Sequence, residues 1–208
     1  MAVFPRRRAL RRIASVALVV SLAAAAAAAE GKYTLEEARS IVKPDVRPTR
    51  ILVVAIADDR EIRNRFEDKF VTHLRGRGIM AIASHPIVPS LTKMEDREKF
   101  LAAIEKEGVD GVMTVRAASL DELGPERWAS DWHAWLESDS TIRALIERDL
   151  PLPAKKAKRY GIEFTLWRAG GDKLWAARSG ACTRKDLQSG VAELLQLAID
   201  ALKDDHWV

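Results

Sequence analysis

Ile51-Leu52-Val53-Val54-Ala55-Ile56-Ala57 is the stretch that decides the fold. It holds no polar residue, and isoleucine or valine fills most of it. An apolar run of this length without alternation is the pattern of a strand buried on both faces, as in a parallel sheet covered by helices. The residues after it agree. Asp58 with Glu61 reads as a capping box, and Ile62, Phe66, Phe70 and Leu74 then fall on one helical stripe. Gly76 and Gly78 end that helix. Ile79–Ala83 predicts a second strand, and Pro86 and Pro89 break the chain after it. Thr92 with Glu95 opens another helix, whose apolar face is Phe100, Leu101 and Ile104 and whose stop is Gly108. Residues 111–118 predict the third strand. Strand, helix, strand, helix, strand with short connections implies right-handed crossovers and a parallel core.

The second half changes character. Residues 124–150 look helical until Pro151 and Pro153, and the segment 120–157 reads as a tryptophan-rich helical insert. Tyr160–Arg168 alternates, with Ile162, Phe164 and Leu166 on one face and Glu163, Thr165 and Trp167 on the other. Gly170-Gly171-Asp172 predicts a hairpin turn, and Leu174–Cys182 the return strand. Leu187, Val191, Leu194, Leu195, Ala198 and Leu202 mark an amphipathic final helix. The expected fold class is therefore α/β: a single-domain sandwich with a βαβαβ parallel core, an antiparallel β-hairpin and a C-terminal helix on a mixed sheet.

Upstream of residue 51 the chain is less regular. Thr34 with Glu37 predicts a short helix over 34–42, and Pro44 and Pro48 force extended chain. Residues 30–50 read as an extended arm ahead of an α/β domain at 51–208. Residues 1–29 are different again. Five arginines, Arg6, Arg7, Arg8, Arg11 and Arg12, precede an uncharged run from Ile13 to Ala29, and Ala27-Ala28-Ala29 stands before Glu30. That is a charged region, an apolar region and a small-residue cleavage site, the layout of a signal peptide. The uncharged run is short of the about 20 apolar residues a stable span wants, and it ends in alanines, so cleavage after Ala29 is expected. Arg6-Arg7-Arg8-Ala9-Leu10-Arg11 resembles a twin-arginine signal, but Ala9 stands where Phe is usual, which favours the general secretion route. No cysteine follows the cleavage site to be lipidated. The expected location is the periplasm.

Removing the leader changes the charge argument. The whole chain has 34 Lys+Arg and 30 Asp+Glu; without the five leader arginines, 29 basic residues face 30 acidic ones. The net charge of +4 belongs to the leader and is no sign of a nucleic-acid partner. Cys182 is the sole cysteine, so no intramolecular disulfide staples the fold.

Few residues suggest chemistry. Asp58 and Asp59 after the first strand resemble the start of a response-regulator receiver, but no aspartate ends the strand at 111–118, and Asp110 precedes it. Capping is the simpler role for Asp58. His73, His85, His133 and His206 show no paired metal spacing, and no metal or cofactor is expected. Ser130, Asp131 and His133 on one helix cannot align as nucleophile, base and orienter. Cys182 sits among small and apolar residues and reads as an inert buried thiol. Lys155, Lys156, Lys158 and Arg159 read as a solvated approach to a strand. Trp128, Trp132 and Trp135, at spacings of four and three, share a helix face and are the candidate binding residues. They are either core packed against the sheet or a docking surface for an envelope partner. If the protein holds a ligand or hydrolyses one, the loops after the parallel strands are the place, around Asp58, Asp59, Ser84, His85 and Ser119.

Two stretches carry a family resemblance. Arg63-x-x-Phe66-Glu67-Asp68, Leu74-Arg75-x-x-Gly78 and Ser84, then Val109-Asp110-Gly111-Val112, form the first; Gly171-Asp172-Lys173-Leu174-Trp175-Ala176 is the second. Together they resemble exported bacterial periplasmic or lipoprotein domains of unknown function, whose fold is similar to the amino-terminal domain of the Tol-Pal translocation protein. The likeness covers about residues 50–118 and 158–203. It implies a binding or assembly module of the cell envelope rather than an enzyme, with an envelope protein as partner, and it implies no catalytic residues. This chain departs from that pattern in lacking the lipidated cysteine and in its 120–157 insert.

Overall fold

The computed structural model describes residues 33–44, 47–57, 59–88, 94–138 and 157–208. The apolar run becomes β2 (Arg50–Ile56), a central strand of a seven-stranded mixed sheet. It is followed by α1 (Arg60–Arg75), β3 (Met80–Ala83), α2 (Met94–Lys106) and β4 (Gly111–Ser119). Both β3 and β4 run parallel to β2, with Ile51 opposite Ala81 on one side and Gly111 on the other. Next come α3 (Leu120–Leu123), α4 (Pro125–Glu137), the hairpin β5 (Arg159–Arg168) and β6 (Lys173–Ser179), and β7 (Cys182–Thr183). The helices α5 (Arg184–Ser189) and α6 (Val191–Asp204) complete the chain.

Leu35–Ser40, expected as a helix, is instead strand β1, paired antiparallel with β6. The Thr34–Glu37 spacing mimics a cap, but the free edge of β6 offers a ladder of hydrogen bonds, and local propensity yields to that pairing. The resulting order is β1-β6-β5-β4-β2-β3, with β7 pairing β5. Residues Lys32–Val208 form one unit.

Alternation along β2 sorts the core into two layers, because successive side chains point to opposite faces. Ile51, Val53 and Ala55 meet Phe66, Phe70 and Leu74 of α1 and Val191, Leu194, Leu195, Ala198, Ile199 and Leu202 of α6. Leu52, Val54 and Ile56 meet Phe100 and Ile104 of α2, with Val88 and Trp167. Further along that second face, Trp132 and Leu136 of α4 pack over Ala176. Helix α4 explains why β5 is buried on both faces despite its alternating sequence: its polar side, Glu163 and Thr165, lies inside as well. The expected capping box at Thr92 lies outside the described residues.

Asp110 secures the start of the parallel core. Its carboxylate accepts from the Thr49 and Arg50 backbone N–H groups and from the Thr49 hydroxyl at 2.8–2.9 Å. Burial pushes this carboxyl up, but those hydrogen bonds more than offset it and hold it below its ordinary value. Asp121 ties the start of β5 to α3 in the same way. Its carboxylate is held low by the Lys158 backbone N–H first, then by Arg159.

Candidate functional site

The crossovers put the site suggested by the sequence where open α/β sheets bind ligands. Connection β2–α1–β3 runs over one face and β3–α2–β4 over the other, so the strand order switches direction beside β2. Loops at the carboxyl ends of such strands bound a crevice. Asp59 stands there as the N-cap of α1, its carboxylate accepting from the Glu61 and Ile62 N–H groups at 3.0 and 3.2 Å. The cap is thus Asp59 rather than Asp58, which lies outside the described residues. Asp59, Glu61, Ile62 and Arg65 line a depression of about 230 Å³. Ser119, at the end of β4, is buried, and its hydroxyl has no hydrogen-bond partner among the described residues.

Ser84 and His85 belong to a different structure, a buried polar staple centred on Glu67. Glu67 has 0% exposure and lies on the sheet-facing side of α1 beside Phe66 and Phe70. Its Oε1 accepts from the Ala55 backbone N–H at 3.0 Å, Arg63 Nε at 2.9 Å and the Ser84 hydroxyl at 2.8 Å. Its Oε2 accepts from the His85 backbone N–H at 2.6 Å. Arg63 Nη2 donates to Ser84 Oγ at 2.8 Å, and His85 Nε2 lies 2.9 Å from Asp68 Oδ1. A buried charge is tolerated only when paired and hydrogen-bonded, and here one carboxylate binds α1 to the ends of both β2 and β3. The Arg63-x-x-Phe66-Glu67-Asp68 motif and Ser84 are the parts of this staple. Ser84 and His85, candidate ligand residues by sequence, are therefore held by Glu67, which the sequence shows only as part of the Arg63-x-x-Phe66-Glu67-Asp68 motif. The available signal was a charged pair four apart on the apolar stripe of α1.

The three tryptophans separate. Trp128 and Trp132 are 3% and 1% exposed, while Trp135 is half-buried. Trp128 Nε1 donates to Glu163 Oε1 at 3.2 Å, and Glu163 Oε2 is paired with Arg116 at 2.6 Å. The Trp128 ring lies so close over β5 that a Cβ at Gly161 would sit 2.3 Å from it. The Arg178 guanidinium stands 5.1 Å and 5.5 Å from the Trp128 and Trp132 ring centres, where ring faces attract a cation. It is also held by Glu36 at 3.0 Å. Trp135 packs edge-on against Trp167, and Lys173 Nζ lies 4.6 Å over its ring. The same ammonium donates to the Trp135, Leu136 and Ser138 carbonyls, satisfying the open end of α4. Glu163, Arg178 and Lys173, which meet the tryptophans of this helix, come from the hairpin, and the sequence assigned none of them a contact with it.

The remaining candidates are scattered. Ser130, Asp131 and His133 are exposed on α4; Asp131 pairs with Arg127 at 3.6 Å and His133 with Glu37 at 3.4 Å. Burial, with some help from Asp186, pushes the Cys182 thiol up to about 12, far from the range of a reactive thiolate. Among the described residues no group of His, Cys, Asp and Glu could hold a metal ion. No described helix is long and apolar enough to cross a membrane. Lys155 and Lys156 lie outside the described residues.

The fold and site define a mixed α/β domain whose buried polar groups bind its own elements together. No family model matches the chain, and no curated protein does. Among solved structures it is similar to the PelC dodecamer from Paraburkholderia phytofirmans, with a TM-score of 0.43 and 14% identity over 82% of this chain and 96% of that one. A singly substituted form of the same PelC dodecamer gives 0.41 and 12% over 83% and 98%. At that distance no residue role passes from PelC to this chain. The resemblance to exported domains of unknown function rests on the motifs quoted above.

Proposed function

We propose that the protein is an exported, non-catalytic binding or assembly module of the bacterial cell envelope, released by cleavage after Ala29. The observation that carries this reading is the saturation of Glu67. Its carboxylate is taken up by four donors of its own fold and is unexposed, which leaves no room for substrate, and Ser84 is drawn into the same staple. The leader supplies the address. The test is to express the full chain, fractionate the cells, sequence the amino terminus and crosslink within the periplasm. The mature protein is expected to begin at Glu30 and to crosslink reproducibly to one envelope component. A chain beginning at Met1 or Ala2 in the cytoplasm would refute the export. Turnover of ester, amide or glycosidic substrates, abolished by Asp59→Ala, would refute the absence of catalysis.

A second reading is a small-ligand binder or hydrolase in the loops after the parallel strands; of Asp58, Asp59, Ser84 and His85, Asp59 alone supports it, by lining the depression with Glu61, Ile62 and Arg65. It requires Asp59→Ala to abolish ligand binding while leaving the fold intact.

A further inference from the structure

We infer that the open edge of β3 is a docking site for an extended acidic segment of a partner protein, which adds to the sheet as a further strand. The inference rests on the module reading above and names the surface and the partner's chemistry. Among the described residues strand β3 ends the strand order. Met80 N–H donates to Thr49 and Ser84 N–H to Val53, so Ala81 and Ala83, which alternate with them, turn their backbone groups to the open side. A depression of about 450 Å³ lies along this edge, lined by Arg50, Arg75, Ile79, Met80 and Ile82 among others. Met80 and Ile82 share one face of the strand, and Met80, at 56% exposure, is the most exposed large hydrophobic residue described.

Charge selects the occupant. Two arginines line the depression and no acidic residue does. Arg75 Nε donates to the Ala81 carbonyl at 3.0 Å, which fixes the guanidinium at the edge, and Arg75 makes no ion pair among the described residues. Among the described residues Arg50 pairs with Glu107 at 3.6 Å, and its buried Nε has no hydrogen-bond partner. A strand of alternating acidic and apolar residues meets all of these features. Its carbonyls take the outward N–H groups, its apolar side chains cover Met80 and Ile82 on the face that Arg50 shares, and its carboxylates, on the opposite face, reach Arg75 at the edge. The edge is only four residues long, and Arg75 already occupies one outward carbonyl. Both features discourage indiscriminate strand capture and leave charge to decide the partner.

The probe is a fluorescein-labelled, end-capped heptapeptide alternating glutamate and valine, with a lysine–valine peptide as control. Fluorescence anisotropy with the purified protein is expected to show saturable binding of the glutamate peptide, weakened by salt, and no binding of the lysine peptide. Met80→Glu should weaken it by about tenfold or more, since it removes apolar contact and adds a like charge. Ala81→Pro should also weaken it, because it removes an outward N–H without touching the ladder to β2. Circular dichroism melts check that each variant is folded before its binding is read. Equal binding of the two peptides overturns the inference, as does no binding of either or unchanged binding by the folded Met80→Glu protein. Photocrosslinking in the periplasm from position 80 separates this failure from failure of the module reading. An envelope partner that crosslinks from other faces but never from position 80 overturns the docking site and leaves the module intact. A crosslinked segment that maps to an acidic, alternating stretch supports it.

Discussion

Glu67→Gln is the sharpest test of the staple. The two side chains have the same shape, so packing against Phe66 and Phe70 is kept and only charge and one acceptor are lost. With the amide oxygen at the Oε1 position, the Ala55, Arg63 and Ser84 donors keep an acceptor. The amide NH₂ then faces the His85 N–H, donor against donor, at a contact that was 2.6 Å. Arg63, 4% exposed, is left as a buried cation without its counter-charge. Breaking a buried pair by removing one partner costs about 3–5 kcal/mol. Against a total stability of roughly 5–15 kcal/mol for a domain, that is a large share. Urea denaturation followed by tryptophan fluorescence reads it as a lower midpoint at unchanged slope. The companion variant Arg63→Met/Glu67→Met removes both charges but leaves the Ala55, Ser84 and His85 donors without their acceptor, so relative to the sum of Arg63→Met and Glu67→Met it should recover only the part of the loss that comes from an unpaired buried charge. A loss below about 1 kcal/mol for Glu67→Gln, or a double variant no better than the sum of the single ones, would show that the staple does not hold the crevice together.

Three further outcomes follow from the same structure. Trp132→Ala should cost about 3–5 kcal/mol in urea unfolding, since the ring is buried against the sheet, and a near-native midpoint would return α4 to the surface reading. Gly161→Ala should cost about 1–3 kcal/mol by pushing the Trp128 ring off β5, whereas an unchanged melting temperature would mean that the helix shifts freely. Cys182 should resist a disulfide reagent at pH 8 until urea is added. Its thiol is held protonated to about 12, against about 8.5 when unfolded. The associated stability is full below the unfolded value and lost as pH rises towards the folded one, so Cys182→Ala should flatten the alkaline fall in stability.

What the residues determined alone are the elements whose patterns are local. The run at 51–57 reads as a strand covered on both faces because its length, its β-branched residues and its lack of polarity leave no face for water, and β2 takes it up to Ile56. The stripe of Phe66, Phe70 and Leu74 needed only the period of a helix, and Gly171 between two apolar runs needed only a turn. The tertiary structure decided whatever depended on partners distant in sequence. Leu35–Ser40 carries a helix-start signal, yet becomes β1 because β6, some 140 residues on, presents an unpaired edge. Trp128 and Trp132 share a face in any helix. Whether that face meets protein or water was settled by Gly161, Glu163 and Arg178 on the hairpin. Glu67 shows the limit most plainly. A glutamate on an apolar stripe is a conflict by local rules, and it is resolved only when folding brings Ala55, Arg63, Ser84 and His85 around its carboxylate. Periodicity reports which side of an element is buried; the identity of the groups waiting there is a property of the assembled chain.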